Sequence, residues 1–242
     1  MANICSTQIT FYSNDKELLE NFKQKLTKYC TIPYNNNVTN PKWVGNILMH
    51  FLHADYDKIT KKDTRCWINF IMNYDVEQCL ENKEYYSFYI ETEDAWAVHI
   101  EPFRKILKEY YKDAIKLAYI ASEPGCEYFV KNDPDDIIYY NCEYFVDMFE
   151  PPDEFIKDNP EYQRISELYD YGNQLHTKNL LRIFNVSSLG KVMNLVETLN
   201  EKLEERYPDE GYYINIFPYR SVQWKINNPK YSSKQFQISV SS

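Results

Sequence analysis

His50 and His53 stand three residues apart in ILMHFLHADY, with Asp55 and Asp57 close behind. On a helix that spacing puts two imidazoles on one face, and with the carboxylates it is a donor set for a divalent metal and so for a metal-dependent hydrolase. The competing reading of the same residues is two histidines packed into an apolar segment with no ligand role. Glu93 and Asp94 are adjacent carboxylates just before Trp96, and paired carboxylates serve acid–base chemistry, but adjacency in a turn makes exposed charge the default. His99 and His176 have no partner nearby in sequence, and Gly190 in SSLGKVMN is isolated, without the spacing of a phosphate-binding loop. The six cysteines, Cys5, Cys30, Cys66, Cys79, Cys126 and Cys142, form no C-x-x-C pair and mostly sit in apolar segments, where they read as buried reduced thiols. No catalytic or cofactor motif emerges. The expectation is a protein that is not an enzyme and holds no cofactor and no metal.

Charge supplies the next candidates. Residues 75–160 carry 21 acidic and 8 basic side chains, a net of −13, whereas residues 1–74 are at +3 and residues 161–242 at +1. The acidity falls in expected turns beside aromatics: Glu91, Glu93 and Asp94 before Trp96, then Asp133, Asp135 and Asp136, then Asp147, Glu150, Asp153 and Glu154. Within this region Glu93, Asp94, Trp96, Asp133, Asp135 and Asp136 are the candidate binding surface. Two readings compete for it: a solvated face that keeps a tyrosine-rich chain soluble, and a face that imitates nucleic-acid phosphate and docks into a basic groove. Direct nucleic-acid binding is disfavoured there, because phosphate contact needs clustered Lys and Arg. Lys58, Lys61, Lys62 and Arg65, in the mildly basic first third, could still touch a phosphate. With 23 tyrosines and 17% aromatic residues, the chain has the rigid, amphipathic contact area that interfaces favour, so a protein partner is expected.

The elements that must position these groups centre on residues 85–130. Tyr86, Phe88 and Ile90 alternate as on a half-buried strand. Pro102 then suits a first helical turn, and Phe103, Ile106, Leu107 and Tyr110 follow at helical spacing. Residues 115–121 alternate again, Pro124 and Gly125 suit a type II turn, and 127–130 returns as a third strand. Upstream, 4–12 reads as a strand, and Asn14 with Glu17 reads as a capping pattern for a helix carrying Leu18, Leu19, Phe22 and Leu26. Residues 29–41 read as a loop, 43–52 as a short helix or strand, 66–72 as a strand and 76–82 as a short helix. Downstream, 137–145 reads as a strand, 161–171 as a helix, 180–186 as a strand, 189–207 as a long helix capped by Ser187 or Ser188, and 212–217 as a strand. An edge strand is expected at 235–240.

This order predicts an α+β protein: a ferredoxin-like α/β sandwich with an antiparallel sheet over residues 1–150, and a C-terminal α/β extension of β-α-β order over 151–242. No apolar run approaches the roughly 18 residues of a membrane span, and the first residues lack the basic and apolar regions of a signal peptide, so no membrane and a cytoplasmic location are expected. Oligomeric state is not legible.

Three stretches carry a resemblance. The opening MANICSTQITFYS resembles a short M-x-N-x-C-x-N start into a strand, FYIETEDAWAVHIEPFRKI is similar to a stretch of the form F-x-T-x-W-S-P-P before a helix, and YIASEPGCEYFV resembles a strand, Glu-Pro-Gly-type turn and strand. Together they resemble the ferredoxin-like domain family carried by phages and conjugative plasmids, the group that includes the YubB proteins, over about the first 130 residues. Ala97, Val98 and His99 stand where that family has Ser-Pro-Pro, and INFIMN only weakly matches its Asn-Trp-Gly stretch. The resemblance implies a mobile-element origin and a non-enzymatic accessory role.

Overall fold

From residue 9 to residue 13 neither face of the first strand, β1 (Ile4–Ser13), reaches solvent. Such a strand must lie inside a sheet with both faces covered. The computed structural model describes residues 4–59, 64–79, 82–95, 97–123, 128–139, 142–170 and 175–221. They form two units, Met1–Tyr139 with Ser221–Ser242, and Tyr140–Arg220.

In the first unit, β1 leads into α1 (Lys16–Tyr29), α2 (Val44–Leu52), β2 (Cys66–Ile71), β3 (Glu77–Gln78), β4 (Tyr86–Ala95), α3 (Glu101–Glu109), β5 (Lys116–Glu123) and β6 (Tyr128–Asn132). The sheet order is β2-β4-β1-β5-β6, with β3 also on β4 and the two-residue β9 (Arg220–Ser221) beyond β6. β1 is antiparallel to both β4 and β5, and β4 to β2. Setting aside β3, α2 and the added edge strand β6, this is β-α-β-β-α-β with the first strand central, the ferredoxin-like arrangement expected from the sequence.

Period-two alternation sends Phe11, Phe88 and Leu117 to one sheet face in register. There the Phe11 ring centroid lies 4.9 Å from Phe22 of α1, 5.3 Å from Phe88 and 5.8 Å from Phe103 of α3. The opposite face is closed by the chain after β6. Tyr139 shares a 2.7 Å hydroxyl hydrogen bond with Thr10, and the Tyr12 hydroxyl donates to Asp135 at 3.0 Å.

The second unit holds β7 (Tyr144–Phe149), α4 (Asp153–Asp158), α5 (Pro160–Asp170), α6 (Thr177–Phe184), α7 (Leu189–Arg206) and β8 (Tyr213–Pro218). β7 and β8 pair antiparallel as a two-stranded sheet. A separate core gathers Val146, Phe155, Tyr162, Ile165, Leu180, Val196, Leu199 and Ile214.

Several expectations change. Strand β7 belongs with β8, so the boundary falls at 139/140 rather than 150/151. The segment read as a strand at 180–186 is the helix α6: Leu180 and Phe184 are buried one helical turn apart, His176 caps the start and Asn185 ends it at φ 52°. The C-terminal β-α-β order is therefore β-α-α-α-α-β. Residues 137–139 are bends, the strand beginning at Tyr144 instead, and the expected helix at 76–82 contains β3. Asp15, not Asn14, caps α1, its carboxylate accepting from the Leu18 amide at 3.0 Å. The expected turn at 124–125 and the strand at 235–240 lie outside the described residues. Among those described, no helix is long and apolar enough to cross a membrane.

Candidate functional site

Asp94 was expected in an exposed turn. It is instead the last inward-facing position of β4, after Phe88, Ile90 and Thr92, and is 2% exposed. Its Oδ2 accepts hydrogen bonds from Thr7 on β1 at 2.6 Å and from Thr92 at 2.9 Å, and Oδ1 accepts from the His99 amide at 3.3 Å. The His99 Nδ1 stands 3.6 Å from the same Oδ1, close enough for an ion pair but too long for a hydrogen bond. A His–Asp pair is the orienting half of a nucleophilic triad. The neighbouring thiols do not complete one: burial, then Asp94, pushes Cys5 up to about 12 and holds Cys66 well above the ordinary thiol value. Neither supplies a thiolate near neutral pH. What this cluster does is tie the chain entering α3 to the sheet.

The other expected surface carboxylates are largely engaged within the protein. Glu93 lies on β4, exposed, and accepts from the Asn69 amide at 2.7 Å. Asp133 accepts the backbone N–H groups of Ile138 and Tyr139 at 2.8 and 2.6 Å, closing its own turn. Asp135 binds the Lys116 ammonium at 2.6 Å as well as Tyr12. Asp136 is exposed at φ 53°, a turn position. Trp96 lies outside the described residues. Of the five carboxylates, Asp94 is buried, Asp133 and Asp135 are bonded within the protein, and Glu93 and Asp136 remain exposed.

The histidine pair also separates. The His50 ring stacks on Tyr29 at 4.3 Å and its Nε2 is 2.9 Å from the Ile32 carbonyl, while His53 ends α2 at φ 50°. Among the described residues no group of three or more His, Cys, Asp or Glu is placed to hold a metal ion.

Charge reappears where regional counting hid it, on α7. Val192, Val196, Leu199 and Leu203 face the core, and the adjoining stripe carries Met193, Glu197, Glu201, Glu204 and Glu205, all exposed. These residues and Asn215, Ile216 and Phe217 of β8 bound an open groove of about 790 Å³. Two of the helix's three cations turn elsewhere, Lys202 donating to Asn159 and Arg206 to Asp158, each at 2.9 Å, and the third, Lys191, is not in the groove lining. Among the described residues none of the four glutamates is in an ion pair and no cation lines the groove. The signal was present as E-x-x-x-E-x-x-E-E at helical spacing, masked by basic residues elsewhere in 161–242.

The groove wall on the β8 side is a sheet edge. Asn200 of α7 donates to the Ile214 carbonyl and accepts from the Ile214 amide, both at 2.8 Å. Ile214 therefore points its peptide groups away from β7, and in an antiparallel pair Ile216, two residues on, does the same. Asn200 closes the edge at Ile214, and at Ile216 it faces the groove. Among the described residues β8 pairs only with β7.

No protein-family model, no curated protein and no solved structure matches this chain.

Proposed function

We propose that the protein is a non-catalytic binding protein whose α7–β8 groove takes an extended, basic segment of a partner protein. The observation that carries this reading is a strand edge at Ile216 that has no strand partner among the described residues, flanked by four glutamates without an ion pair among them and by the exposed apolar surface of Met193. A strand added to such an edge gains main-chain hydrogen bonds, and alternate side chains reach the flanking wall. Lysine or arginine at those positions meets Glu197, Glu201 and Glu204. A second copy of this chain is the weaker occupant, since the same glutamates would face one another across the junction and the chain as a whole carries −9. The stacked His50 and the raised thiols support binding over catalysis. The accessory role in a mobile genetic element rests on the sequence resemblance.

The test is fluorescence anisotropy with a labelled, capped peptide of alternating lysine and valine. Binding is expected to weaken steeply between about 0.05 and 0.5 M salt, as pairing between exposed charges does. Glu201→Lys/Glu204→Lys abolishes it, whereas the equal charge change Glu84→Lys/Glu109→Lys, outside the groove, leaves most of it. N-methylation of the peptide's alternate amides, which removes the ladder donors, also abolishes it. Equal loss in the two charge-reversed variants, or indifference to N-methylation, overturns the reading.

A further inference from the structure

A second concavity, of about 300 Å³, lies in the first unit, walled by Trp43, Tyr56 and Trp67 and rimmed by Arg65, Asn37 and Asn40. Its aromatic wall is fixed before any ligand arrives. The Trp43 indole N–H donates to the Thr64 carbonyl, its ring packs edge-on against Tyr56 at 5.9 Å, and its backbone bridges to Trp67 on β2. The Lys42 carbonyl accepts the Ile68 amide at 2.9 Å and sets the height of that bridge. Gly45 allows the ring to lie against α2, because a Cβ there would stand 2.3 Å from Trp43 Cζ2.

The lining chemistry selects a ligand. Arg65 is the one charged lining residue, is exposed, and has no ion-pair partner among the described residues. A cage for a cation would place carboxylates here; among the described residues this cavity has none in its lining and presents a guanidinium, whose fork of N–H donors matches phosphate or carboxylate. Rings of the Trp and Tyr type bind flat π-systems by stacking. The Asn37 carboxamide carries both a donor and an acceptor, the combination that reads a base edge, and Asn40, whose Oδ1 accepts the Lys42 backbone N–H at 3.0 Å, adds its side-chain NH₂ donors. The volume is at the small end for ligand sites, so it suits one ring system with one anionic group and excludes a dinucleotide cofactor.

We propose that this cavity is a nucleotide site: it stacks one nucleobase on its tryptophans and holds the attached phosphate on Arg65. Such a base and phosphate come either as a free nucleoside monophosphate or as the phosphorylated end of a strand. Of the basic residues that the sequence offered for phosphate contact, Arg65 is the one placed in the lining, and Lys61 and Lys62 lie outside the described residues.

The test is calorimetric titration of the full chain with AMP, adenosine and ribose 5-phosphate, alongside a 5′-phosphorylated dinucleotide. AMP is expected to bind, with adenosine weaker and ribose 5-phosphate weakest. Arg65→Met weakens AMP about tenfold and leaves adenosine unchanged, the size of one lost charge-assisted contact. Trp67→Ala weakens AMP and adenosine alike, also about tenfold. Both side chains are exposed, so circular dichroism should show both variants folded. Tighter binding of the dinucleotide identifies a strand end as the source, and equal binding identifies the free nucleotide. Absence of AMP binding, or AMP binding that neither substitution alters, overturns the proposal.

Discussion

Gly45 sits in the first turn of α2, where replacing glycine by alanine ordinarily stabilises a helix by about 0.5–1 kcal/mol. Here the sign should reverse. The added Cβ would meet Trp43 Cζ2 at 2.3 Å and Cη2 at 2.4 Å, and the indole cannot swing aside without giving up its bond to the Thr64 carbonyl. Gly45→Ala is therefore expected to lower the melting temperature and change tryptophan fluorescence, while Gly190→Ala, with nothing within 4 Å of its Cβ, shows the ordinary helix gain. A more stable Gly45→Ala protein contradicts this packing. Asp94 gives the matching lesson about reading single residues. Its burial was legible, because the alternation Phe88, Ile90, Thr92 continues one step further to Asp94. The carboxylate hid that step, since charged residues are rarely buried unless paired, and its partners Thr7 and His99 come from distant or irregular chain. The Trp43–Trp67 cavity left no local signal at all: its walls come from positions 24 residues apart that a single bridge joins.

At the scale of elements, the sandwich was legible wherever a period ran long enough. β1, β4, α3 and α7 follow their hydrophobic patterns closely. Short apolar runs were not decidable, and the sequence LLRIF reads equally as a buried strand or as one helix face; the caps at His176 and Asn185 decide it. The turn after β6 shows an element held by side chains instead of by pattern. Asp135 accepts from Lys116 and from Tyr12, and the Lys116 ammonium first of all holds its carboxyl below the ordinary 3.8, against the opposing effect of burial. A carboxyl depressed on folding contributes stability that is fully present above its ordinary value and is lost as pH falls through its folded value. The Lys116 ammonium is raised by the same bond, so its contribution is present below its ordinary 10.5 and lost only as pH rises through the folded value. Acid is therefore the end of the scale where Asp135 lets go of Tyr12. A carboxyl-carbon NMR titration of Asp135 should place its midpoint below 3.8 in the wild type, and Lys116→Met should move it upward. A wild-type midpoint at or above 3.8 contradicts the contact. Both side chains are partly solvated, so the stability at stake is about 0–1 kcal/mol.

For the whole molecule, the chain leaves the first unit at Tyr139, builds the second, and returns at Ser221. Residues 140–220 are thus an insertion within the first unit's sequence, which a boundary drawn at 150/151 could not express, because the partner of β7 lies some 70 residues downstream at β8. The two hydrophobic cores share no residue. A lesion at the centre of one core should therefore be local. Phe11 is fully buried and in ring contact with Phe22, Phe88 and Phe103, so Phe11→Ala removes an aromatic from the middle of the sandwich at a cost of about 3–5 kcal/mol. Native-state hydrogen exchange resolves where that cost is felt, since each amide reports the opening of the unit that protects it. The amides of β1, β4 and β5 are expected to lose protection in proportion. Those of α7, bonded within their own helix over Val192, Val196, Leu199 and Leu203, are expected to exchange as in the wild type. Matching loss along α7 would mean that the two cores open together, and the groove beside α7 would then have to be understood as a property of both units.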